Sequence, residues 1–209
     1  MSVEPVRILA FVNHIAPVPG IEADIARAFA WGVDVVVAQG TGSDWGPYWL
    51  GSGEQVAANQ AENVRPYVRA AVRHGVPFVF SFGIAGGNVH LDQCLAGFDA
   101  LCAAEGWDLS VGVVRSELSP SYVADAISAG AVVVPATHGV GLASPLTAAD
   151  VEGVARIVAL IGPEPVMAAL SAGVDGVITG RALDIGLFMA LPMLRGIPTA
   201  VAAHAGKLL

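Results

Sequence analysis

The chain is poor in charge, in lysine and in cysteine, and each shortage excludes a class of protein. Charged residues make up 13% of the 209 residues, against roughly 25% in an average globular domain. The net charge of −8 argues against nucleic acid, whose phosphates require a basic face. Cys94 and Cys102 are too few for a disulfide framework, and Lys207 offers the only side-chain amine.

Long hydrophobic runs are also missing. No apolar stretch reaches the roughly 18 uncharged residues of a membrane span, although 55% of the residues are hydrophobic. The N-terminus, MSVEPVR, lacks the basic start, the apolar stretch and the cleavage site of a signal peptide. We therefore expect a cytoplasmic protein that buries its apolar excess in a homo-oligomer or against the remainder of a longer chain.

Short apolar runs rich in Val, Ile and Phe alternate with alanine-rich stretches of helical length. Their apolar residues are nearly continuous, which is typical of strands buried on both faces of a parallel sheet. The sequence predicts a single α/β domain over 1–209, with a doubly wound, mainly parallel sheet and helices on both faces. The predicted strands are Val6–Val12, Asp34–Gln39, Pro77–Phe82, Leu109–Arg115, Ala131–Pro135 and Gly176–Thr179.

Capping residues and prolines predict where several helices begin, and glycines predict where they end. Ser52 with Gln55, and Thr147 with Asp150, match the capping-box spacing. Two further starts have proline in the first turn, where its missing N–H costs nothing. The helices predicted in this way run from Ser52 to Gly75, from Ser119 to Gly130, from Thr147 to Gly162 and from Pro163 to Gly173.

The most informative segment is the loop QGTGSDWGPYWLGSG, from Gln39 to Gly53. Strand-to-helix connections normally take about two to six residues, whereas this one is far longer and is rich in glycine and aromatic residues. In open α/β sheets, ligands bind outside the carboxyl ends of the strands, where this loop must lie. It is either a loop packed on its own tryptophans or a substrate loop, and we favour the second. Its candidate residues are catalytic Asp44 and substrate-binding Thr41, Gly42, Ser43 and Tyr48.

A second polar loop, SFGIAGGNVH, follows the third predicted strand. Its glycines let the backbone approach a ligand closely, and the next helix offers free N–H groups to an anion. The spacing matches neither the dinucleotide fingerprint nor the P-loop. The sequence predicts either a carboxylate-binding turn or a tight turn made for packing. The candidates are Ser81, Gly86, Gly87 and Asn88 for binding, and His90 for proton transfer.

Later strands also deliver polar groups at their carboxyl ends. Arg115 and Glu117 could form an ion pair or orient a substrate, and His138 follows the fifth predicted strand. Arg181 could hold a carboxylate through two parallel hydrogen bonds or form a salt bridge with Asp184. Lys207, beside His204, could be a Schiff-base or general-base residue if it is desolvated, or the two could be a solvated surface pair. We take Glu117 and His138 as catalytic candidates, and Arg181, Asp184, His204 and Lys207 as binding candidates.

No metal or cofactor is indicated by these patterns. No two histidines stand at the spacing of helical metal ligands, so we expect no preformed transition-metal site. Asp44 with neighbouring oxygens leaves a hard-cation site open. The cofactor, if one is used, is unknown from the sequence.

Five segments in order resemble the acyclic terpene utilisation AtuA-like family. They are GTGSDWGPYWLGSG at 40–53, SFGIAGGNVH at 81–90, IVALIGPEPVMAAL at 157–170, GVDGVITGRALDIGLF at 174–188 and HAGKLL at 204–209. Family members usually continue past HAGK, so the resemblance implies that this chain is the N-terminal portion of a longer protein.

The resemblance implies a bacterial catabolic protein that works on a small carboxylate or acyl-thioester. Two function classes follow. The first is an enzyme, of the lyase, hydratase or isomerase type, in which Arg181 and the Gly86 and Gly87 amides hold the carboxylate. The second is a non-catalytic subunit or binding domain whose aromatic loop 40–53 is a protein interface. The direction of Trp45, Tyr48 and Trp49 separates them: into a polar pocket for the enzyme, outward for the interface.

Overall fold

The structure, a computed structural model, describes residues 4–42, 45–54, 59–134 and 144–209. Its strands are β1 Ile8–Val12, β2 Val35–Gln39, β3 Phe78–Ser81, β4 Val111–Val114, β5 Glu117–Leu118, β6 Ile157–Val158 and β7 Gly176–Thr179. Its helices are α1 Ile21–Ala30, α2 Pro47–Ser52, α3 Gln60–His74, α4 Asn88–Glu105, α5 Pro120–Ser128, α6 Ala148–Glu152, α7 Glu164–Ser171, α8 Gly186–Leu194 and α9 Thr199–Leu208.

Five strands form one sheet in the order β1-β2-β3-β7-β4, and every neighbouring pair is parallel. The parallel α/β architecture predicted from the sequence is therefore confirmed. Five of the six predicted strands are present in it. Because all five strands run in the same direction, the loops that follow them leave from the same edge of the sheet.

The two faces of the sheet carry different side chains because strand residues alternate in direction. On one face, Phe78 and Phe80 pack with residues of α1, α3 and α4 in a core that includes Phe98. On the other face, Val79 and its neighbours pack against α7 and α8, with Phe188 as the largest member. Helices therefore cover both faces, as predicted.

The fifth predicted strand, Ala131–Pro135, is wrong for the residues that the structure describes. Val132, Val133 and Val134 belong to no strand and are exposed. The β-branched run matches a buried strand in type, but within the described residues no strand pairs with it, and β4 pairs with β7. A two-stranded antiparallel pair, β5 with β6, was not predicted because two-residue strands have no readable periodicity.

Two predicted helix boundaries are also wrong. Ser52 ends the short helix α2, and α3 begins at Gln60, where the Asn59 side chain accepts a hydrogen bond from the Glu62 N–H at 3.4 Å. Gln55 lies outside the described residues. The capping box of Thr147 and Asp150 is present, but its helix α6 ends at Glu152 rather than at Gly162, and β6 occupies part of the interval.

The other predicted signals are confirmed. Ser119 caps α5 by accepting from the Tyr122 N–H at 3.1 Å. Gly75 ends α3 in the left-handed conformation, and Pro66 lies inside that helix. Pro163 precedes α7, which ends just before Gly173. Cys94 and Cys102 are both on α4 and form no disulfide.

Candidate functional site

The loops that follow β1, β2, β3 and β7 meet at the carboxyl edge of the sheet. Thr41 forms a parallel bridge with Ile84, and the Gly42 N–H donates to the Ile84 carbonyl at 2.9 Å. The Arg181 N–H donates to the Gly86 carbonyl at 3.1 Å. The predicted loops 40–53 and 83–90 therefore lie side by side, and the Arg181 loop lies against the second of them.

Backbone geometry in these loops is tight and partly strained. Ile84 has φ 50°, which is a rare conformation for a β-branched residue, and such strain clusters at functional sites. A Cβ on Gly86 would lie 2.6 Å from the Arg181 Cα, and one on Gly180 would lie 2.6 Å from the Gly86 carbonyl oxygen. These two glycines allow the β3 and β7 loops to cross in direct backbone contact.

A buried polar junction beneath the loops joins β1, β2, β3 and α3. We define this junction as Asn13, Gly40, Gln60, Ser81 and Gly83. Gln60 Nε2 donates to Asn13 Oδ1 and to the Gly40 carbonyl, both at 2.8 Å, and Gln60 Oε1 accepts from the Gly83 N–H at 2.7 Å. Asn13 Nδ2 donates to the Ser81 carbonyl at 3.1 Å, and Ser81 Oγ accepts from the Gly40 N–H at 2.8 Å. One amide from α3 thus fixes the ends of three strands.

Sequence reasoning named Ser81 in this junction but missed Asn13 and Gln60. A signal was present, because Gln60 and Asn63 lie on the face of α3 that buries Val64 and Tyr67. Polar residues at positions where a helix buries its apolar face need internal hydrogen-bond partners. Asn63 finds one in the Asn13 carbonyl, to which its Nδ2 donates at 2.9 Å.

Above the junction, a pocket of about 420 Å³ opens to solvent. This volume lies in the range of small-ligand sites, about 300–1,000 Å³. Its walls come from the ends of β1 and β2, from the loop between β7 and α8, and from α8 and α9. The lining residues are Phe11, Val12, His14, Gln39, Gly40, Thr41, Gly42, Trp45, Arg181, Asp184, Ile185, Phe188, Gly206, Lys207 and Leu209.

Arg181 is the most enclosed cation of this pocket, since only 12% of its side chain is exposed. Its Nη1 donates to the Thr41 carbonyl at 2.7 Å. The nearest carboxylate oxygen, Asp184 Oδ1, is 3.9 Å from the same nitrogen, which is too far for a hydrogen bond. The expected salt bridge with Asp184 is therefore a loose contact, and the guanidinium charge is held mainly by a neutral carbonyl.

Gln39 fixes the position of Asp184 and of the loop after β2. Its Nε2 donates to Asp184 Oδ1 at 3.1 Å and also contacts the Thr41 carbonyl. Its Oε1 accepts from the Thr41 N–H at 3.1 Å. Thr41 is thus held on both its backbone groups, and Asp184 points its carboxylate at Gln39 rather than at Arg181.

Lys207 lines the opposite wall of the pocket, on α9. His204 and Lys207 both lie within α9. Gly206 allows α9 to pack closely on the segment that opens α8, because a Cβ there would lie 3.2 Å from the Ile185 carbonyl oxygen and 3.3 Å from Phe188 Cβ. This close packing brings Lys207 to the pocket, whereas His204 is exposed and does not line it.

A second polar group lies at the beginning of α4. Glu117 Oε2 accepts from the Asn88 N–H at 2.6 Å, and Arg156 Nη1 donates to Glu117 Oε1 at 3.4 Å. His90 is buried, and its Nε2–H donates to the Trp49 carbonyl at 2.8 Å. A Cβ on Gly87 would lie 3.0 Å from His90 Nδ1 and 3.1 Å from Glu117 Oε2. Two of the proposed proton-transfer residues therefore converge beside Gly87.

The structure separates this second group from the pocket. Gly86, Gly87, Asn88, His90 and Glu117 do not line the pocket that contains Arg181. The Gly86 N–H donates to the Gly83 carbonyl at 3.1 Å, so it is not directed at a ligand. Arg115 pairs with Asp92 at 2.6 Å rather than with Glu117.

The three aromatic residues of the long loop point in different directions. Trp45 lines the pocket with 45% of its surface exposed, whereas Tyr48 is 61% exposed and lies outside it. The Tyr48 hydroxyl donates to Glu54 at 3.2 Å, and this hydrogen bond, with the Glu54 charge, raises the pKa of Tyr48. Trp49 is half-buried and packs edge-on against Tyr48. Ser43, Asp44 and His138 lie outside the described residues.

The described residues contain neither a candidate metal centre nor a membrane-spanning helix. Among them, no group of three or more His, Cys, Asp or Glu residues is arranged to hold a metal ion. No helix within the described ranges is long and apolar enough to cross a membrane.

Comparison with known proteins gives one family. A family model described as acyclic terpene utilisation family protein AtuA matches residues 52–195, well over half of the 209 residues. The match includes the β3 and β7 loops but not Thr41 or Lys207. No curated protein matches the chain. The extent of the family match shows that the chain belongs to the AtuA family of acyclic terpene utilisation.

Proposed function

We propose that the chain is a bacterial catabolic enzyme that binds a small organic acid, or the acyl part of its thioester, in the pocket at the carboxyl edge. The observation that carries the proposal is the enclosed Arg181 guanidinium, whose only hydrogen-bond partners in the described residues are the carbonyl and the hydroxyl of Thr41. A guanidinium in that position has N–H groups left for a planar carboxylate, which it binds through two parallel hydrogen bonds.

The rest of the pocket suits the same ligand. Lys207 and His14 add basic groups to the pocket. The pocket is therefore richer in basic residues than the chain as a whole, whose net charge is −8. Phe11, Ile185 and Phe188 supply apolar walls. A carboxylate at one end and a hydrocarbon chain at the other would satisfy both parts, which is the usual composition of small-molecule sites.

For the reaction we propose a lyase, hydratase or isomerase type, because such chemistry moves protons beside a carboxylate and needs an acid or base that works near neutral pH. Asp44 adjoins Trp45 and is the candidate nearest in sequence to the pocket. His138 remains a candidate on sequence grounds. Glu117 and His90 could act only if the ligand also reaches Gly87, on the far side of Gly86.

The proposal is tested by ligand binding. Thermal-shift and calorimetric titrations with a panel of monocarboxylates, dicarboxylates and coenzyme A thioesters should give at least one stabilising ligand. Arg181→Gln should lower the affinity for that ligand about tenfold or more, since a hydrogen bond to a charged group contributes roughly 1.5–3 kcal/mol. Arg115→Gln is the matched control, because this arginine is exposed, pairs with Asp92 and does not line the pocket. Equal affinities in both variants would reject the site.

The reaction type is tested separately in D₂O. A lyase, hydratase or isomerase that removes a proton next to the carboxyl group should place deuterium in the bound acid, which mass spectrometry detects. Asp44→Asn preserves size and turn-forming hydrogen bonds but removes the base. It should abolish the exchange while leaving unfolding unchanged, and retention of exchange would exclude Asp44 as the base.

The second candidate is a binding subunit whose aromatic loop is an interface. The observation in its favour is the exposed Tyr48, and Ile15 and Val18 in the loop after β1 are exposed as well. Exposed large apolar side chains mark protein contacts where they form a continuous patch. Tyr48→Ser should lower the oligomeric mass in sedimentation if the loop is an interface, and should leave ligand affinity unchanged. The cytoplasmic location, the homo-oligomer and the continuation into a longer chain stay predictions.

A further inference from the structure

The pocket contains a carboxylate, Asp184, that makes no hydrogen bond to its most enclosed cation, Arg181. Among the described side chains that line it, Arg181 and Lys207 are cationic and Asp184 is anionic, which leaves a formal charge of +1 with the histidine counted as neutral. Asp184 is 64% exposed, so it stands at the solvent side of the pocket, whereas Arg181 is enclosed.

Asp184 is held in place by Gln39 rather than by Arg181. The Gln39 Nε2–Asp184 Oδ1 hydrogen bond is 3.1 Å long, and the Arg181 Nη1–Asp184 Oδ1 distance is 3.9 Å. The same Gln39 side chain accepts from the Thr41 N–H, which ties it to the loop that Arg181 also contacts. The Asp184 carboxylate is therefore a fixed negative charge beside Arg181 and makes no hydrogen bond to it.

We propose that Asp184 is a specificity residue that restricts the pocket to acids with one negative charge. The proposal rests on the proposed function, because it assumes that Arg181 binds the ligand carboxylate. Once that bond is made, the remaining charged side chains described in the pocket, Lys207 and Asp184, offset each other. A second carboxylate on the ligand would lose its hydration and gain no net counter-charge.

The walls favour the same choice. Beyond Arg181, the described lining includes Phe11, Val12, Ile185 and Phe188, which bind hydrocarbon and give no hydrogen bond to a second carboxylate. A fixed like charge that rejects the wrong ligand is a common source of discrimination, since specificity is a difference between two affinities. The substrate class inferred is a monocarboxylate with an apolar chain.

Hexanoate and adipate test the inference, because they share a six-carbon chain and differ by one carboxylate. Calorimetry in low-salt buffer should show that the unmodified protein binds hexanoate more tightly. Asp184→Asn removes the charge while its side-chain oxygen can still accept from Gln39. Asp184 repels both carboxylates of adipate, so the fold-change for the dianion exceeds that for the monoanion and reaches its square when both carboxylates lie equally near Asp184. We expect about threefold tighter hexanoate and up to roughly tenfold tighter adipate.

Two further variants make the result decisive. Asp184→Ser should give the same change in the adipate-to-hexanoate ratio, because the effect depends on charge and not on shape. Asp92→Asn, on an exposed carboxylate paired with Arg115 outside the pocket, should leave the ratio unchanged. Added salt should reduce the effect of Asp184→Asn, since salt screens exposed charges.

The outcomes separate the two proposals. If hexanoate binds and the ratio is the same with and without Asp184, the specificity role is overturned while the site stands. If adipate binds the unmodified protein more tightly than hexanoate, the role is also overturned. If no acid of the wider panel binds and Arg181→Gln changes nothing, the site itself is rejected, and the specificity role is rejected with it.

Discussion

Two glutamines at the carboxyl edge make similar hydrogen bonds in different surroundings. Gln60 is 1% exposed, and its amide holds Asn13, Gly40 and Gly83 in the buried junction. Gln39 lies at the pocket, and its amide holds the buried Thr41 and the exposed Asp184. When Gln60 is removed, water cannot replace any of the lost bonds, whereas at Gln39 it can replace the bond to Asp184. Burial therefore decides that the first glutamine acts on folding and the second on the ligand.

The largest effect is expected at Gln60. Gln60→Leu would leave two acceptors and one N–H in the junction without partners, at about 1–3 kcal/mol each, so we expect the free energy of unfolding to fall by about 3 kcal/mol or more. Urea titration measures this loss. Gln39→Leu is the matched control and should cost clearly less, because Asp184 is exposed and Arg181 still donates to the Thr41 carbonyl. Only the buried Thr41 N–H then loses its partner, which is one penalty of this kind instead of three. Equal losses at the two positions would remove the distinction between junction and pocket.

Gly40→Ala should give the next largest effect on folding. Its Cβ would overlap Asn13 Oδ1, the Ser81 carbonyl and Gln60 Nε2, and overpacking of this kind costs about 1–3 kcal/mol. The comparison variant is Gly51→Ala, on α2 in the same loop region. Gly51 has no positive φ and nothing within 4 Å of the added Cβ, so the free energy of unfolding should change by less than about 1 kcal/mol. A larger loss of unfolding free energy at Gly51 than at Gly40 would contradict the packing argument.

A smaller effect, on binding and not on folding, is expected for Gln39→Ala. Without the Gln39 amide, the Asp184 carboxylate is free to close the 3.9 Å gap to Arg181 and to compete with the ligand. We expect the affinity for hexanoate to fall by about threefold to fivefold, as for an exposed ion pair worth up to about 1 kcal/mol. The double variant Gln39→Ala with Asp184→Asn should recover the affinity. Failure of that rescue would show that Gln39 acts by another route.

The smallest effect should come from an ion pair at the opposite edge of the sheet. Burial raises the pKa of Asp34, but hydrogen bonds from Arg195 and from the Arg7 N–H, with the charges of both arginines, outweigh it and lower the pKa. A lowered carboxyl pKa stabilises the fold above the unfolded pKa, and this contribution disappears as the pH falls through the folded pKa. The unmodified protein should therefore lose unfolding free energy between about pH 6 and about pH 3, and Asp34→Asn should reduce this loss by under about 1 kcal/mol. Urea titration across this pH range measures the difference.

The sequence predicted the sheet well because buried parallel strands have a strong local signature. β2 and β3 are almost wholly apolar and almost fully buried. At each end, their predicted limits differ from the observed ones by no more than one residue. The run Ala131–Pro135 has the same composition, yet its valines are exposed. Composition shows that a segment is apolar enough to be buried. Whether another element covers it depends on the topology of the whole chain.

The carboxyl-edge rule predicted that the loops bearing Thr41, Gly42, Arg181 and Asp184 lie together, and these residues line one pocket. The pocket residues that were missed, His14 and Gln39, are single polar residues at strand ends and carry no motif. Gln60 was missed for a different reason. Its partners lie 20 to 47 positions away along the chain, and hydrogen bonds across such separations exist only after the strands are in register.

The strand order has a consequence for synthesis of the chain. β3 and β4 do not pair with each other; each pairs with β7, the last strand of the sheet. During translation, β1, β2 and β3 can associate as soon as they emerge, while β4 must wait without a neighbour until β7 leaves the ribosome. An unpaired apolar strand is prone to aggregation. Ribosome-bound chains stalled before β7 should therefore be cut by protease near β4, and chains stalled well after β7 should resist.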